Sequence, residues 1–483
     1  MKVVVTGGGG YVGFHVGWAI SQGGHNVILV DLTPPDPEWY DLAPKVLYDA
    51  LPKDFWDEES KCSTGSLQYV QANINDYWTL KTVFQGATAV IHTASYGISG
   101  REQLSAHMTQ QEEVNIAGTR TVLSAAIDAK VQALVYTSTY NVVFGGQEIK
   151  NGDESLPYFP LHEQSDHYSR TKTIAEMLVV MANGKSLLCT EEEETALPLN
   201  EKTITYHTLP LSSLTSQPLG SRPENQQTEA RTPSKKCRST LRTCALRLAG
   251  VMGLGERRHS CRVIDALRSG FLCTYGNKNN LVDFIGIQNV VQAHVKAMMT
   301  LVKEQENYSS FAVAAGNIVK SPNFQNHHND TDSKGKILGK VSGQAYFISD
   351  GFPINHFEYF RPWYEGLEYG FPNVQLPLAL IMIVAHVQQI VYNIIHKVYP
   401  FKPFITPAEV YKSGVTHYFS CGKATKDFGY MPTRPNDQTQ MVEYFKSRNC
   451  RKDPAKTGLF NKLSIQIIFF VILCLICYLT LFR

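Results

Sequence analysis

"KVVVTGGGGYVGFHVGWAISQGGHNVILVD", residues 2–31, carries the clearest structural pattern of the sequence. The apolar run at 2–7 predicts a buried strand, and it leads directly into four consecutive glycines. Residues 11–24 have a helical pattern that ends in two glycines, and 26–31 form a second strand-like run. A strand, a helix and a strand in so short a stretch predict a βαβ unit with parallel strands.

The glycines of this unit have the spacing of a dinucleotide-binding turn. Gly7, Gly10 and Gly13 fit G-x-x-G-x-x-G, and Gly8, Gly10 and Gly13 fit G-x-G-x-x-G. Asp31 ends the second strand, where a carboxylate accepts hydrogen bonds from ribose hydroxyls and repels a 2′-phosphate. The pattern therefore predicts NAD as the cofactor in preference to NADP. The alternative is a plain turn followed by a capping aspartate.

The strand and helix rhythm continues through the first half of the chain. Apolar strand-like runs alternate with helical segments at 78–85 and 112–129, which is typical of a doubly wound α/β sheet. The further predicted strands are 66–76, 88–95 and 132–139, with a strand and loop at 243–253. We therefore expect a Rossmann-type parallel sheet with a smaller C-terminal substrate lobe, because 483 residues exceed one ordinary core.

Charge and cysteine content exclude several functional classes. The chain has 45 Lys+Arg, 43 Asp+Glu and a formal net charge of +2, whereas a nucleic-acid binder normally has a basic excess. Ten cysteines are scattered without framework spacing, and the one C-x-x-C, Cys474 and Cys477, lies in an apolar stretch. We expect reduced thiols in a cytosol-facing protein, with no metal site and no nucleic-acid partner.

"DHYSRTKTIAE" (166–176) places Tyr168 and Lys172 four residues apart where a helix should begin. At this spacing both side chains project from one helix face. An ammonium beside a phenol favours the phenolate, which would lower the Tyr168 pKa, and the lysine could also hold a nicotinamide ribose. "YTSTYNVVFGG" (136–146) ends another strand in hydroxyl residues, at the sheet edge where such folds bind ligands. The alternative is a solvated helix face.

Taken together, these motifs resemble the extended short-chain dehydrogenase/reductases. Within them the chain is similar to the 3β-hydroxysteroid dehydrogenase/isomerase family, and most similar to the family 42E branch. The motifs that carry the resemblance are "TGGGGYVG" (6–13), "VIHTAS" (90–95), "VNIAGT" (114–119), "YTST" (136–139), "YSRTK" (168–172), "LRTCALR" (241–247), "VDFIGIQNVVQAHVKAM" (282–298), "GQAYFISDGFPINHFEYFRPW" (343–363) and "VTHYFSCGKATKDFGY" (415–430).

The resemblance implies a role for each residue that matches a family motif. It implies Tyr168 as the proton acceptor and donor, with Lys172 binding the ribose and Thr139 as the catalytic hydroxyl (Ser138 is the alternative). It implies that Gly7, Gly10, Gly13 and Asp31 hold the ADP half of the cofactor. It implies that Asn73 and Ile74 contact the adenine, and that Thr93 and Ala94 line the floor of the cofactor site. Asn115 matches a family asparagine whose implied role is structural, tying helix to strand.

The chain departs from the family pattern at four places. Leu248 stands where a proline is usual, and Asn73 where an aspartate is usual. Residues 185–240 and 317–341 are insertions between segments that family members join directly. Disordered surface loops, regulatory segments or translated intron would each explain them, and their abrupt compositional edges favour intron. The expected domains are then 1–184 (NAD-binding, with the catalytic helix), 241–316 (Rossmann and substrate lobe) and 342–446 (C-terminal substrate lobe).

Two apolar stretches point to a membrane. "SIQIIFFVILCLICYLTLF" (464–482) is about long enough to cross a bilayer and follows a basic linker, 447–463. The excess of Lys and Arg before it predicts a single-pass anchor with the catalytic domain in the cytosol, and the family resemblance suggests the endoplasmic reticulum. Residues 376–396 predict either a core helix or a helix that rests on the membrane surface.

We therefore expect an NAD-dependent oxidoreductase acting on the CH–OH group of a hydrophobic, steroid-like substrate. A homodimer is the oligomeric state to be tested. A nucleotide-sugar epimerase or dehydratase of the same extended fold is the first alternative. A non-catalytic NAD-binding module is the second.

Overall fold

Seven parallel strands form the central sheet of the protein, which is described here from a computed structural model. They are β1 (Lys2–Thr6), β2 (Asn26–Asp31), β3 (Leu67–Gln71), β4 (Ala89–His92), β5 (Ala133–Thr139), β8 (Thr240–Leu248) and β12 (Gln344–Ile348). Their order across the sheet is β3-β2-β1-β4-β5-β8-β12, and the short β7 (Lys185–Ser186) joins β8 antiparallel. The predicted fold class, a doubly wound parallel sheet, is confirmed.

The structure describes residues 1–47, 65–98, 102, 104–186, 240–269, 273–317, 341–398, 401, 403–433 and 438–451, with side chains only to 306 in the segment that ends at 317. The predicted insertions, apart from their end residues, lie outside these ranges. So do the predicted membrane anchor 464–482 and most of the basic linker.

Helices cover both faces of the sheet and build the C-terminal lobe. The helices are α1 (Tyr11–Gln22), α2 (Pro37–Leu47), α3 (Tyr77–Phe84), α4 (Met108–Glu112), α5 (Gly118–Asp128), α6 (His167–Ala182), α7 (His259–Ser269), α8 (Ile287–Asn317), α9 (His356–Gly366), α10 (Leu378–Ile395), α11 (Pro407–Gly414), α12 (Gly422–Phe428) and α13 (Gln438–Ser447). A π turn (Glu113–Ala117) joins α4 to α5.

The central strands β1 and β4 are mostly apolar and buried because helices cover both faces of the sheet there. Val3 and Val5 belong to the core beneath α1 and α8, whereas Val4 belongs to the core beneath α3, α5 and α6. The chain leaves β1 toward β2 on one side, while β4 lies on the other side of β1. This reversal of strand order opens a crevice at the carboxyl ends of β1 and β4, where doubly wound folds bind ligands.

The smaller C-terminal lobe has an aromatic core of its own. Trp363 is fully buried between α9 and α13, where its ring lies 5.0 Å from that of Phe445. Phe284 stacks on Tyr359 with ring centroids 3.7 Å apart. Three short parallel strand pairs lie outside the central sheet in the described part of the chain. These pairs are β6 (Ile149–Gly152) with β14 (His417–Phe419), β9 (Gly250–Met252) with β11 (Phe284–Gly286), and β10 (Cys273–Tyr275) with β13 (Val374–Leu376).

Two element boundaries differ from the sequence-based expectation. The strand predicted at 66–76 ends at Gln71, because Asn73 accepts a hydrogen bond from the Asn75 amide (2.9 Å) and turns the chain. The strand and loop predicted at 243–253 is a longer strand, β8, that begins at Thr240, followed by the short β9.

Helix α10 carries the apolar pattern at 376–396, and it has two different faces. Ile381, Ala385, Gln388 and Tyr392 are buried, whereas other large apolar side chains of the helix are exposed, namely Leu380, Ile383, Ile390 and Ile394. Among the residues that the structure describes, α10 is the helix long and apolar enough to cross a membrane, with a mean hydropathy of 1.8. The helix therefore packs on the protein along one side and exposes an apolar surface on the other.

Candidate cofactor and active site

The glycine turn between β1 and α1 is shaped by close backbone approaches. The amides of Gly7 and Gly8 both donate to the carbonyl of Val30, at 2.9 and 3.1 Å. Gly7 has a φ of +76°, and a Cβ there would lie 2.4 Å from the Ala94 amide nitrogen. A Cβ on Gly13 would lie 2.2 Å from the Gly7 carbonyl oxygen. Larger residues would therefore push the turn away from β4 or from α1.

The start of helix α1 is suited to hold an anion. Gly10 is the N-cap and provides no side-chain hydrogen bond to the first turn. The amides of that turn therefore remain the local donors, at the positive end of the helix dipole. This is the arrangement that a cofactor diphosphate requires, and the residues present fit such a group.

Asp31 lies at the end of β2, where it faces the glycine turn. Its carboxylate accepts hydrogen bonds from the amides of Gly9 (3.0 Å) and Leu32 (2.7 Å). Burial raises the pKa of Asp31, and these amide hydrogen bonds act in the opposite direction. The carboxylate is therefore fixed in position beside the turn, where it can accept from ribose hydroxyls.

The predicted site residues line one continuous cavity of about 1230 Å³. This cavity is larger than the usual range of about 300–1,000 Å³ for a single small ligand, as expected for a cofactor together with a substrate. The predicted residues that line it are Gly7, Gly10, Gly13, Asp31, Asn73, Ile74, Thr93, Ala94, Ser138, Thr139, Tyr168 and Lys172.

Tyr168 lies in the first turn of α6, and its neighbours fix its position. Asp166 caps the helix by accepting from the Ser169 amide (2.7 Å) and also binds Lys412 Nζ at 3.0 Å. Gly97, with a φ of +103°, approaches the Tyr168 ring so closely that a Cβ there would lie 3.0 Å from ring carbon Cδ2. Tyr168 is 7% exposed as a whole residue, and it lines the cavity.

The electrostatics of Tyr168 differ from the sequence-based expectation. We expected Lys172 to lower the Tyr168 pKa, but among the protein groups burial dominates and raises it, with Ser95 acting in the opposite direction. Lys172 Nζ donates to the carbonyl of Thr137 at 2.7 Å and lies 4.2 Å from the centroid of the Tyr136 ring. The sequence spacing shows that both side chains share a helix face, but it does not reveal this carbonyl partner.

Lys172 is itself strongly perturbed. Its side chain is 2% exposed, and burial lowers its pKa to about 7, although Glu176 acts to raise it. A lysine held in this way changes its charge near neutral pH, which an exposed lysine does not do.

The structure distinguishes Thr139 from Ser138. The Ser138 hydroxyl donates to the buried Glu176 carboxylate, which also binds Arg247 Nη2 at 2.7 Å and the Tyr158 hydroxyl at 2.9 Å. Ser138 lines the cavity, but its hydroxyl proton is therefore bound to a buried polar network. Thr139 accepts from the Asn141 amide (3.3 Å), which leaves its own hydroxyl proton to donate into the cavity.

Asn115 has the structural role that the resemblance implied. It lies in the π turn, where its side chain accepts from the Tyr96 amide (2.9 Å) and donates to the Tyr96 carbonyl (2.8 Å). It also donates to the Thr171 hydroxyl on α6 at 2.9 Å. Asn115 thus fixes the loop after β4 and the helix that carries Tyr168 relative to each other.

The far half of the cavity is mainly aromatic and apolar. Two of the basic side chains that line it are paired with carboxylates: Arg262 Nε lies 3.0 Å from Glu409, and Lys412 bonds Asp166. Apolar and aromatic residues of this half include Val263, Val282, Phe284, Phe360, Tyr364 and Ile405. This half of the cavity therefore suits a hydrophobic ligand.

Sequence reasoning missed several residues of the cavity. Asp283 is buried, bonds the Phe419 amide at 2.8 Å, and has its pKa raised to about 7 by burial. A lone aspartate in the apolar run "LVDFIG" was the available signal. Arg258 and His417 also line the cavity, but they come from segments distant in sequence from the glycine turn.

A profile of the 3-beta hydroxysteroid dehydrogenase/isomerase family matches residues 4–193 and 229–378. The chain belongs to this family. The predicted family is thereby confirmed. Membership of this family, together with the geometry of the glycine turn and Asp31, supports NAD as the cofactor of this cleft. Leu248, where the family usually has proline, is buried at the end of β8 and lines the cavity.

Curated relatives of this 3-beta hydroxysteroid dehydrogenase/isomerase family member cover nearly the whole chain. Short-chain dehydrogenase/reductase family 42E member 1 of Homo sapiens is 38% identical over 449 residues, 92% of this chain and 87% of the relative. The Danio rerio protein of the same name is 37% identical over 94% of this chain and 91% of the relative. A 3beta-hydroxysteroid-dehydrogenase/decarboxylase of Arabidopsis thaliana is 28% identical over 89% and 76%, respectively.

Solved structures show the same fold at low sequence identity. UDP-glucose-4-epimerase from Stenotrophomonas maltophila, with bound NAD and formylated UDP-arabinopyranose, has a TM-score of 0.53 at 16% identity, covering 93% of this chain and 99% of that one. A dTDP-glucose 4,6-dehydratase from Streptomyces venezuelae, with NAD bound, has the same TM-score and identity over 93% and 98%. These similarities establish the extended fold.

Proposed function

We propose that the protein is an NAD-dependent oxidoreductase that interconverts a secondary alcohol and a ketone on a hydrophobic, steroid-like substrate. The observation that carries this proposal is the shared cavity. Tyr168 and Thr139 line the same space as the glycine turn and Asp31, and that space continues into the aromatic half. Cofactor, acid–base groups and an apolar substrate therefore meet in one place.

Each catalytic residue has a separate task in this proposal. Bound NAD supplies the hydride acceptor. Tyr168 takes the hydroxyl proton of the alcohol as the carbonyl forms, and it returns a proton in the reverse direction. Thr139 donates a hydrogen bond to the same substrate oxygen, and Lys172 holds the nicotinamide ribose. The positive charge of an oxidised nicotinamide would offset the effect of burial on the Tyr168 pKa.

The charges in the far half favour a hydrophobic substrate over a nucleotide sugar. A nucleotide sugar carries a diphosphate, which requires cationic partners. In this half, Arg262 and Lys412 already bind Glu409 and Asp166. A nucleotide-sugar diphosphate bound at Arg262 or Lys412 would have to break these pairs, and this supports the steroid-like substrate.

Turnover with a panel of substrates tests the proposal. Membranes containing the full-length protein are incubated with NAD and a set of 3β-hydroxysteroids, and NADH formation is followed by absorbance. We expect NADH with at least one steroid and none with UDP-sugars. Conversion of a UDP-sugar, with tightly held NAD that does not exchange, would favour the epimerase. Unchanged biological activity of Tyr168→Phe would favour a non-catalytic module.

Membrane attachment is part of the proposed function. A lipid-soluble substrate partitions into a bilayer, so an enzyme tethered there meets it at high local concentration. We propose that residues 464–482 anchor the protein in the endoplasmic reticulum and that the exposed apolar face of α10 rests on the membrane surface. Extraction of membranes at alkaline pH should leave the full-length chain in the pellet. Release of the full-length chain would contradict the anchor.

The domain boundaries and the two insertions stay predictions. The family profile is interrupted at 194–228, inside the insertion predicted at 185–240, which supports an insertion there, whereas it continues through 317–341. Sequencing the transcript across both insertions would decide whether they are translated intron. A homodimer also stays a prediction, and sedimentation of the protein in detergent would test it.

A further inference from the structure

The loop before α7 is held against the start of α1 and against α2. The Trp39 indole donates to the Gly255 carbonyl at 3.0 Å, and the Tyr11 hydroxyl donates to the Leu254 carbonyl at 3.0 Å. Tyr11 is the first residue of α1, so these bonds hold the loop against the start of the cofactor-binding helix. A Cβ on Gly253 would lie 2.5 Å from the Tyr11 hydroxyl, so glycine is needed for this close approach.

Two adjacent arginines of this loop have different surroundings. Arg257 points to α2, where it forms ion pairs with Asp36 and, at 2.6 Å, with Glu38. Arg258 lines the cofactor cavity instead. Its guanidinium lies 3.6 Å from Glu102, with 46% of its side chain exposed. Arg257 therefore anchors the loop, and Arg258 faces the cofactor cleft.

Arg258 also stands out among the basic side chains of the cavity. Arg262 and Lys412 are bound to carboxylates, Lys172 bonds the Thr137 carbonyl, and Arg268 lies 3.3 Å from Cys450 Sγ. The long and partly exposed ion pair of Arg258 is the easiest of these contacts to exchange for another anion.

Arg258 lines the same cavity as Asp31, at the adenosine end, and Tyr168, at the nicotinamide end. Its loop is bonded to Tyr11 at the start of α1, next to the glycine turn. The group of NAD between the adenosine and the nicotinamide is the diphosphate. The glycine turn offers backbone amides to this group, and Arg258 is placed to offer the side-chain cation.

We propose that Arg258 binds the diphosphate of NAD, exchanging Glu102 for the phosphate oxygens. A guanidinium matches phosphate geometry with two parallel N–H donors, which lysine does not provide. This inference rests on the proposed use of NAD. It assigns to the chain a cofactor-binding residue outside the glycine turn.

Ligand titrations of the full-length protein in detergent test the inference. NADH fluorescence measures cofactor affinity, while competition measures the affinities for ADP-ribose and adenosine. We expect Arg258→Gln to weaken NADH and ADP-ribose about 10- to 100-fold, because a charged hydrogen-bonded contact is lost. Adenosine, which has no phosphate, should bind within about twofold of the wild type, and Glu102→Gln should tighten NADH binding.

Matched variants separate this effect from changes in fold or net charge. Arg361→Gln removes the same charge from an exposed side chain of α9 and should leave NADH affinity unchanged. Arg258→Lys should recover only part of the affinity. The inference would be overturned if Arg258→Gln bound NADH and ADP-ribose as tightly as the wild type does. It would also be overturned if the variant lost as much affinity for adenosine as for NADH. Wild-type protein that binds neither NADH nor ADP-ribose would instead overturn the proposed use of NAD.

Discussion

Lys172→Met should change the pH dependence of stability as well as activity. The Lys172 side chain is buried, and its pKa in the folded protein is about 7, compared with 10.5 for an ordinary lysine. The folded state therefore releases this proton at a lower pH than the unfolded chain does. Wherever the unfolded chain binds more protons, stability rises with pH. Lys172 should thus make the wild type more stable as pH increases above neutrality.

The magnitude follows from the difference in bound protons. One proton of difference changes the free energy of unfolding by about 1.4 kcal/mol per pH unit. At about pH 7 the folded protein holds half of this proton, and at about pH 9 almost none, while the unfolded chain retains it. Lys172 therefore contributes about 2 kcal/mol of added stability between about pH 7 and pH 9.

Urea unfolding of the wild type and of Lys172→Met at both pH values measures this contribution. The difference between the two proteins cancels other titrating groups, including Asp283. Lys426→Met, on the exposed side of α12, is the matched control and should keep the wild-type pH slope. If Lys172→Met kept that slope too, the burial-lowered pKa of Lys172 would be refuted. The same variant should bind NADH more weakly, since Lys172 is proposed to hold the ribose.

Three further variants test other parts of the site. Asp31→Ala should relax the preference for NADH over NADPH, measured by parallel fluorescence titrations, and an unchanged preference would contradict the ribose assignment. Glu176→Ala should destabilise the protein by about 3–5 kcal/mol in urea, because it leaves the Arg247 charge buried and unpaired. A loss below about 1 kcal/mol would contradict that pairing. Gly13→Ala should abolish NADH binding, since its Cβ would lie 2.2 Å from the Gly7 carbonyl, and normal affinity would show that the turn adapts.

The fold was predictable wherever local signals agree. The strand, glycine turn and helix at the start of the chain show in the apolar pattern, and α1 ends at Gln22, two residues before the predicted end. Helix α2 was missed because Pro44 lies inside it and interrupts the helical pattern of its sequence. The pairing of β6 with β14 was missed because each strand is short and its partner is remote in sequence.

The site was predictable as a set of residue types, but not in its electrostatics. The sequence placed Tyr168, Lys172 and Thr139 together, and all three line one cavity. It could not show that Ser138 is bound by Glu176, because that contact depends on how α6 packs against β5. The raised pKa of Tyr168 was also beyond the sequence, since burial is a property of the folded chain.

The most direct test of the account is the single-atom change Tyr168→Phe, which removes the phenolic oxygen and keeps the ring. NADH formation from a steroid substrate and NADH affinity are measured on the same preparation. We expect turnover to be lost and NADH affinity to stay within about twofold of the wild type. Turnover that persists in Tyr168→Phe would contradict the role of this tyrosine as the proton acceptor.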